Sequence, residues 1–182
     1  MLARAFYDDP VMMYLLPEES ARVKLLPRLF ATLLRHHFLT RGGSEVASRS
    51  GAIGGATLWD PPGQRKSSRF EELRMMPSMM WNLRSRAKQS QVLTEVMEAN
   101  HPEEPHWYLM VIGSDPSVRG AGFGQALMRS RLDRCDGERA PAYLEASKEE
   151  LLPYYSRFGF EQIGEITIPD GPTMWPMWRA PR

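Results

Sequence analysis

The stretch "SDPSVRGAGFGQALMRSRL" (114–132) carries three glycines, at positions 120, 122 and 124, just ahead of an apolar-periodic helical segment. An Asp-Pro turn and Arg119 precede them. Glycine destabilises the interior of a helix, so three glycines at a helix start indicate that the bare backbone is used there. The free N–H groups and partial positive charge of a helix N-terminus suit a phosphate group. The stretch therefore predicts an anion-binding turn that opens a helix.

Two common nucleotide-binding motifs do not match this stretch. The dinucleotide fingerprint G-x-G-x-x-G/A needs glycine or alanine where Gln125 or Leu127 stands. A Walker A loop needs Gly-Lys-Ser/Thr, whereas the sequence has Gly-Gln-Ala. The pattern R/Q-x-x-G-x-G/A does match, with Arg119, Gly122 and Gly124. A glycine-rich turn that only tightens packing between a strand and a helix is the plain structural alternative.

The remaining sequence predicts helices and strands in an α/β order. A start signal at Ser20 opens a helix over 20–40, in which Pro27 must lie in the first turns or cause a bend. Further helices are expected in two segments of 68–100, from Gly122 to about Asp136, and over 148–158 with Gly159 as C-terminal cap; strands are expected at 44–50, 52–60, 106–114, 141–147, 160–168 and 173–180. The glycine turn then lies at the C-terminal end of strand 106–114, where open α/β sheets bind ligands.

Composition limits the classes of protein to consider. The chain has 182 residues, 42% of them apolar and 25% charged, with a net charge of +1. These values predict one domain and give no global field toward nucleic acid or membrane. No apolar run approaches the roughly 18 residues of a membrane span, and residues 1–20 show no signal peptide, so a cytoplasmic location is expected. Cys135 is the sole cysteine, and no metal site is expected.

Five segments extend the pattern beyond the glycine turn. "HPEEPHWYL", "RGAGFGQAL", "PAYLEAS", "LPYYSRFGF" and "IPDGPTMWPMWRAP" occur between residues 101 and 181. In order and spacing they resemble GCN5-related N-acetyltransferases (GNAT), especially the puromycin N-acetyltransferase group; the likeness is fainter over 3–63. It implies an α/β (α+β) fold with a mixed twisted central sheet, a V-shaped splay between the two middle strands, and flanking helices. One domain would span 1–182, with 61–100 as a helical acceptor-site insertion.

The resemblance also implies a cofactor and its contacts. Acetyl-coenzyme A would place its pyrophosphate on the glycine turn and its pantetheine arm along the edge of strand 106–114. Backbone N–H groups of that strand would polarise the thioester carbonyl. The cofactor-binding residues so implied are Val111, Ile112, Gly113, Ser114, Arg119, Gly120, Ala121, Gly122, Phe123, Gly124, Gln125, Ser147 and Tyr155.

Acetyl transfer by direct attack needs an acid and a base. The resemblance implies Tyr155 as the general acid for the leaving thiolate, the alternative being a tyrosine that only packs in the core. Glu145 is the candidate base for the amine, the alternative being a structural carboxylate. His101 and His106 could also act as bases, although loop histidines more often lie at the surface. Cys135 is not needed as a nucleophile.

Two departures from the family pattern stand out. No segment supplies the strand that precedes "AFYDDP" in relatives, and Leu151 stands where relatives often have an asparagine facing the cofactor. The stretch 65–88 is rich in methionine and basic residues, which would suit a bulky apolar acceptor and repel a polycation if it lined the site. The acceptor is expected to be a small-molecule amine or a peptide N-terminus, and the protein a monomer or homodimer. A non-catalytic acyl-coenzyme A sensor and a nucleotide-binding protein remain the alternatives.

Overall fold

The computed structural model describes residues 1–64 and 86–182. The helix expected early in 68–100, the basic methionine-rich stretch and much of the 61–100 insertion lie outside the described residues. The helices are α1 (Leu2–Ala5), α2 (Pro10–Leu15), α3 (Glu19–Leu33), α4 (Ala87–Asn100), α5 (Phe123–Gly137) and α6 (Leu152–Ser156). The strands are β1 (Ser44–Arg49), β2 (Ala52–Asp60), β3 (Trp107–Ser114), β4 (Ala142–Ala146), β5 (Glu161–Gln162), β6 (Ile166–Thr167) and β7 (Thr173–Arg179).

The strands form one mixed sheet in the order β1-β2-β3-β4-β7-β5, with β6 pairing separately with β7. β3 and β4 are parallel, while the other neighbours are antiparallel. The β3–β4 pairing ends at Leu109 and Leu144, although β3 continues to Ser114 in register with β2. Five residues of β3, 110–114, therefore have an unpaired edge on the β4 side. This parting confirms the V-shaped splay between the two middle strands.

Two apolar clusters hold helices against the sheet. The first joins α1, α2 and α3 to β2 and β3 through residues such as Leu26, Phe30 and Val111. The second joins α5 and α6 to β3, β4 and β7, and Met128 and Cys135 lie fully buried in it. Burial of one such large apolar side chain stabilises a fold by about 2 kcal/mol. The predicted α/β architecture with flanking helices is confirmed, and no helix in 1–64 or 86–182 is both long and apolar enough to cross a membrane.

The start of α3 differs from the prediction. The helix begins at Glu19 rather than Ser20, and Pro27 lies inside it, the position for which a bend was the stated alternative. The Arg22 side chain explains the start, because it donates hydrogen bonds to the carbonyls of Leu16 and Pro17 and so fixes the entering chain. A π-helical turn over Leu34–Phe38 follows α3 directly.

The strand expected over 160–168 is divided. β5 pairs with Trp178 and Met177 of β7, whereas β6 pairs with Met174 and Thr173. Between these two sets lies Pro176, which has no N–H to donate to a partner strand. One continuous ladder along β7 is therefore interrupted, and the segment becomes two short strands.

Candidate active site

The parting of β3 from β4 opens into a cavity of about 710 Å³. α1, α2 and α4 supply much of its apolar wall, through residues such as Val11, Leu93 and Met97. The predicted site residues that line this cavity are Ile112, Gly113, Ser114, Arg119, Glu145, Ser147 and Tyr155. The fold thus brings both proposed catalytic residues to one cavity with the open edge of β3.

The glycine turn is positioned at the N-terminus of α5. Gly122 is the N-cap, with φ 86° and ψ 0°, and Gly120 has φ 83°. L-residues rarely adopt this left-handed conformation, and a Cβ at either position would meet no atom within 4 Å. The backbone here is therefore open as well as left-handed. Asp115 holds the approach to the turn, because its carboxylate accepts hydrogen bonds from the backbone N–H and hydroxyl of Ser117.

Several predicted cofactor residues lie outside the cavity lining. The Phe123 ring packs over Gly54 of β2, and Val111 is buried in the first apolar cluster. The space beside Gly124 is taken by the Tyr154 hydroxyl, which lies 2.9 Å from where a Cβ would stand. Packing thus explains why Phe123, Val111 and Gly124 do not line the cavity. These three residues can offer a ligand only backbone groups. Gly120, Ala121, Gly122 and Gln125 belong to the turn or the first turn of α5, beside cavity-lining Arg119.

Tyr155 lies in a dry environment on α6. It is 6% exposed, and its ring contacts those of Tyr154 and Phe160. Burial raises the pKa of its hydroxyl well above the ordinary value, and negative charge on Tyr154 or Asp9 would raise it further. The hydroxyl therefore keeps its proton at neutral pH, at the wall of the cavity.

Asp9 is a cavity residue that the sequence interpretation missed. Its carboxylate caps α2, accepting hydrogen bonds from the backbone N–H groups of Val11 and Met12 at 3.0 and 3.1 Å. The hydroxyl of Ser147 donates to the same carboxylate, which joins the end of β4 to the start of α2. The Asp-Pro pair before an apolar segment is a helix-start signal and predicts the cap. The contact with Ser147, 138 residues away, leaves no local signal.

Glu145 lies beside a pair of buried histidines. Its side chain is 2% exposed, and its Oε1 accepts no hydrogen bond from the residues described. Nδ1 of His101 lies 3.6 Å from that oxygen, and Nε2 of His101 lies 3.0 Å from Nε2 of His106. The expectation that these loop histidines lie at the surface is wrong, because their rings pack against the aromatic side chains of β3, β4 and β7.

His37 is a third buried histidine, and the sequence interpretation did not identify it. The π-helical turn after α3 brings Nε2 of His37 to 2.8 and 3.0 Å from the two carboxylate oxygens of Asp60. Arg41 adds an NH1 contact to Asp60 at 3.4 Å. His37 and Asp60 both line the cavity, on the β2 side of β3. A polar residue at the end of an otherwise apolar strand, as in "LWD", is the only local hint of this cluster.

Cys135 lies in the second apolar cluster and is not among the residues that line the cavity. Cys135 is fully buried, and burial raises the pKa of its thiol to about 12. Such a thiol does not supply a thiolate nucleophile at neutral pH. Leu151 lines the cavity where relatives were expected to place asparagine. Within the two described stretches, no group of three or more His, Cys, Asp or Glu side chains is arranged to hold a metal ion.

Known proteins match this architecture over the whole chain. An uncharacterized N-acetyltransferase of Schizosaccharomyces pombe is 28% identical over 173 residues, covering 87% of this chain and 67% of the relative. The structure of histone acetyltransferase HPA2 and related acetyltransferase from Corynebacterium glutamicum matches with 28% identity and a TM-score of 0.72, covering 100% of this chain and 87% of that one. The polyamine N-acetyltransferase of Drosophila melanogaster shares the fold at 17% identity and a TM-score of 0.60, over 98% and 90% of the two chains.

The family assignment rests on the C-terminal half, which contains the glycine turn, the parted strands and α6. Residues 86–180, just over half of the chain, match the acetyltransferase (GNAT) domain family. The 28% identical Corynebacterium structure extends that likeness over the full length of the chain. The chain belongs to the GNAT acetyltransferase family.

Proposed function

We propose that this GNAT acetyltransferase transfers an acetyl group from acetyl-coenzyme A to a primary amine by direct attack. The observation that carries the proposal is the unpaired edge of β3 over residues 110–114, which opens into the cavity beside the glycine turn. An unpaired strand edge offers backbone N–H and C=O groups to an amide-bearing chain, as another strand would.

The residues present suit acetyl-coenzyme A. The left-handed Gly120 and Gly122 leave the first N–H groups of α5 uncovered, and these can receive a pyrophosphate. Arg119, exposed at the rim of the cavity, adds a positive charge next to that turn. The amide-bearing pantetheine arm suits the edge of β3. When bound, acetyl-coenzyme A supplies the acetyl group as an activated thioester.

Two side chains of the cavity have complementary roles in this proposal. Tyr155 holds its proton through burial and donates it to the departing sulfur. Glu145, with an uncommitted carboxylate oxygen, accepts a proton from the attacking amine. Amine acetylation requires one group that carries a proton and one group that can accept a proton in the same cavity.

The cavity also favours an acceptor that arrives as a cation. Glu98 and Glu145 are among the carboxylates that line it, and an ammonium group is attracted to such side chains. The Drosophila neighbour catalyses formation of N-acetylagmatine, an amide of a small cationic amine. A small-molecule amine and a peptide N-terminus both satisfy this chemistry. We expect the enzyme to act in the cytoplasm without nucleic acid or membrane.

Calorimetry with coenzyme A and a free-thiol release assay test the proposal together. We expect saturable binding of coenzyme A, and thiol release with at least one amine from a panel of agmatine, puromycin and a short peptide with a free N-terminus. Binding without thiol release on any amine would favour a non-catalytic sensor. Absence of coenzyme A binding by the folded protein would refute the proposal, and competition by ATP would favour a nucleotide-binding protein.

A further inference from the structure

Three buried groups form a line that leads away from the cavity. Glu145 lines the cavity, His101 lies behind it with Nδ1 at 3.6 Å from the carboxylate, and His106 follows with its Nε2 at 3.0 Å from His101 Nε2. The line ends where Nδ1 of His106 lies 2.6 Å from the backbone carbonyl oxygen of Glu104. The side chain of His101 is 7% exposed, and His106 as a whole residue is 7% exposed.

The contact between His106 and the carbonyl oxygen of Glu104 determines which nitrogen of each ring carries a hydrogen. A carbonyl oxygen can only accept, so Nδ1 of His106 carries a hydrogen. In a neutral His106 ring, Nε2 is then an acceptor, and Nε2 of His101 must donate to it. A neutral His101 consequently presents an unprotonated Nδ1 toward Glu145. The one vacant proton position in the pair faces the proposed base.

Polar and charged groups surround the His101 ring. His101 is the C-cap of α4, a 14-residue helix whose C-terminal end carries partial negative charge. The carboxyl group of Glu145 on β4 faces Nδ1, and His106 accepts the hydrogen bond on the opposite nitrogen. Among residues 1–64 and 86–182, Tyr108 of β3 and Tyr143 of β4 also face the ring, each with a ring centroid 4.9 Å away.

We infer that His101, positioned by His106, takes up the proton that Glu145 removes from the acceptor amine. This inference rests on the proposed function. It gives His101 a role that acts through Glu145 without contact with the substrate. Once the proton has moved to His101, Glu145 is ionised again and can accept another proton.

The proton balance can be written for each turnover. The amine enters as an ammonium ion and loses two protons while the N–C bond forms and the C–S bond breaks. One proton passes through Glu145 to Nδ1 of His101 and later returns to solvent. Tyr155 protonates the sulfur and recovers a proton from the nitrogen, directly or through water, so the products are an amide, a free thiol and one released proton. No oxidant, reductant or metal ion enters the balance.

The substitution His101→Gln separates proton uptake from packing. A glutamine amide can still donate to Nε2 of His106, but it cannot take up a proton. We expect kcat/KM for the amine to fall about 10²-fold at pH 7, and the loss to shrink to less than about tenfold near pH 9.5, where more of the amine is already neutral. Coenzyme A affinity should stay unchanged. His36→Gln, the same replacement at a histidine outside the cavity lining, should match the wild type at every pH.

Nitrogen NMR of the wild-type histidine rings gives an independent measurement if the variant does not fold. At pH 8 we expect His106 protonated at Nδ1 and His101 neutral, protonated at Nε2. A His106 protonated at Nε2, a His101 already charged at pH 8, or equal pH profiles for His101→Gln and His36→Gln would each overturn the relay while leaving acetyl transfer intact. A wild type that binds coenzyme A but acetylates no amine would overturn the proposed function and the relay with it.

Discussion

Tyr155 offers the sharpest test at the scale of a single residue. Its buried hydroxyl, with a raised pKa, stays protonated well beyond neutral pH. A general acid must carry its proton, so ionisation of Tyr155 should cause no loss of activity between pH 7 and 9.5. Tyr155→Phe should lower kcat about 10²-fold and leave the Kd for coenzyme A unchanged, as measured by thiol release and calorimetry.

Tyr154 provides the matched control for that experiment. It is the adjacent tyrosine of α6, but its hydroxyl lies against Gly124 and its residue does not line the cavity. Tyr154→Phe should keep at least about half of the wild-type kcat, since no proton transfer is assigned to it. If Tyr154→Phe loses turnover and Tyr155→Phe retains it, the roles of the two tyrosines must be exchanged.

We expect the thiol of Cys135 to take no part in the reaction. With a thiol pKa of about 12, almost none of it is thiolate at pH 8, and it lies fully buried on the sheet-facing side of α5. Cys135→Ala should retain wild-type kcat and KM, and should lose about 1–2 kcal/mol of unfolding free energy through the space it leaves. Iodoacetamide at pH 8 should leave the folded wild type unmodified and active. Inactivation in step with alkylation would show that this thiol takes part in the reaction.

At the scale of an element, the start of α5 is seated on β2. Phe123 is the first residue of the helix, and its ring fills the space above Gly54, where a Cβ would lie 2.4 Å from the ring. Gly54→Ala should therefore displace Phe123 and with it the glycine turn. We expect about 1–3 kcal/mol of lost stability from overpacking, together with weaker coenzyme A binding, measured by chemical unfolding and calorimetry.

Gly137→Ala is the control for that displacement. Gly137 ends α5, has no atom within 4 Å of a built Cβ, and lies at the opposite end from the glycine turn. The alanine should bind coenzyme A as the wild type does. Should Gly54→Ala lose stability yet keep full coenzyme A affinity, the N-terminus of α5 would not be the phosphate site.

The elements also show which features a sequence can predict. Alternating apolar patterns, an Asp-Pro pair and a Ser-Gly turn are local signals, and β1, β2, β3 and α5 lie close to the predicted positions. The break between β5 and β6 depends on where Pro176 falls in a partner strand, and the burial of His101 depends on rings from two strands. Both are contacts between distant parts of the chain, which composition and periodicity do not encode.

At the scale of the whole molecule, the splay between β3 and β4 was expected only through family resemblance. No local sequence pattern predicts that the two parallel strands stop pairing after three residues. The same holds for the cavity, whose wall combines α1, α2 and α4 with the parted strands. Residue types could suggest Glu145 and Tyr155 separately, but only the tertiary structure places them around one space.

The C-terminal strand is clamped to α5 by a charged contact. Arg179 of β7 is 4% exposed, and its NH1 and NH2 atoms lie 2.8 and 2.7 Å from the two carboxylate oxygens of Asp136. Its Nε donates to the backbone carbonyl of Phe158 at 2.8 Å. The hydrogen bonds from Arg179 lower the pKa of the Asp136 carboxyl below its ordinary value, and the backbone N–H of Arg182 contributes in the same direction.

This clamp predicts how the stability of the whole domain depends on acid. The folded-state pKa of Asp136 is depressed, so its contribution is fully present above the unfolded-state pKa, near 4, and is lost as pH falls through the lower folded-state value. Asp136→Asn should cost about 2 kcal/mol at pH 7, because it leaves a buried guanidinium without its counter-ion. The difference from wild type in urea unfolding should shrink steadily below pH 4. Asp133→Asn, at an exposed position of the same helix, should change stability by less than about 0.5 kcal/mol. A gap between Asp136→Asn and wild type that stayed constant from pH 7 to pH 3 would show that packing, and not charge, holds β7 to α5.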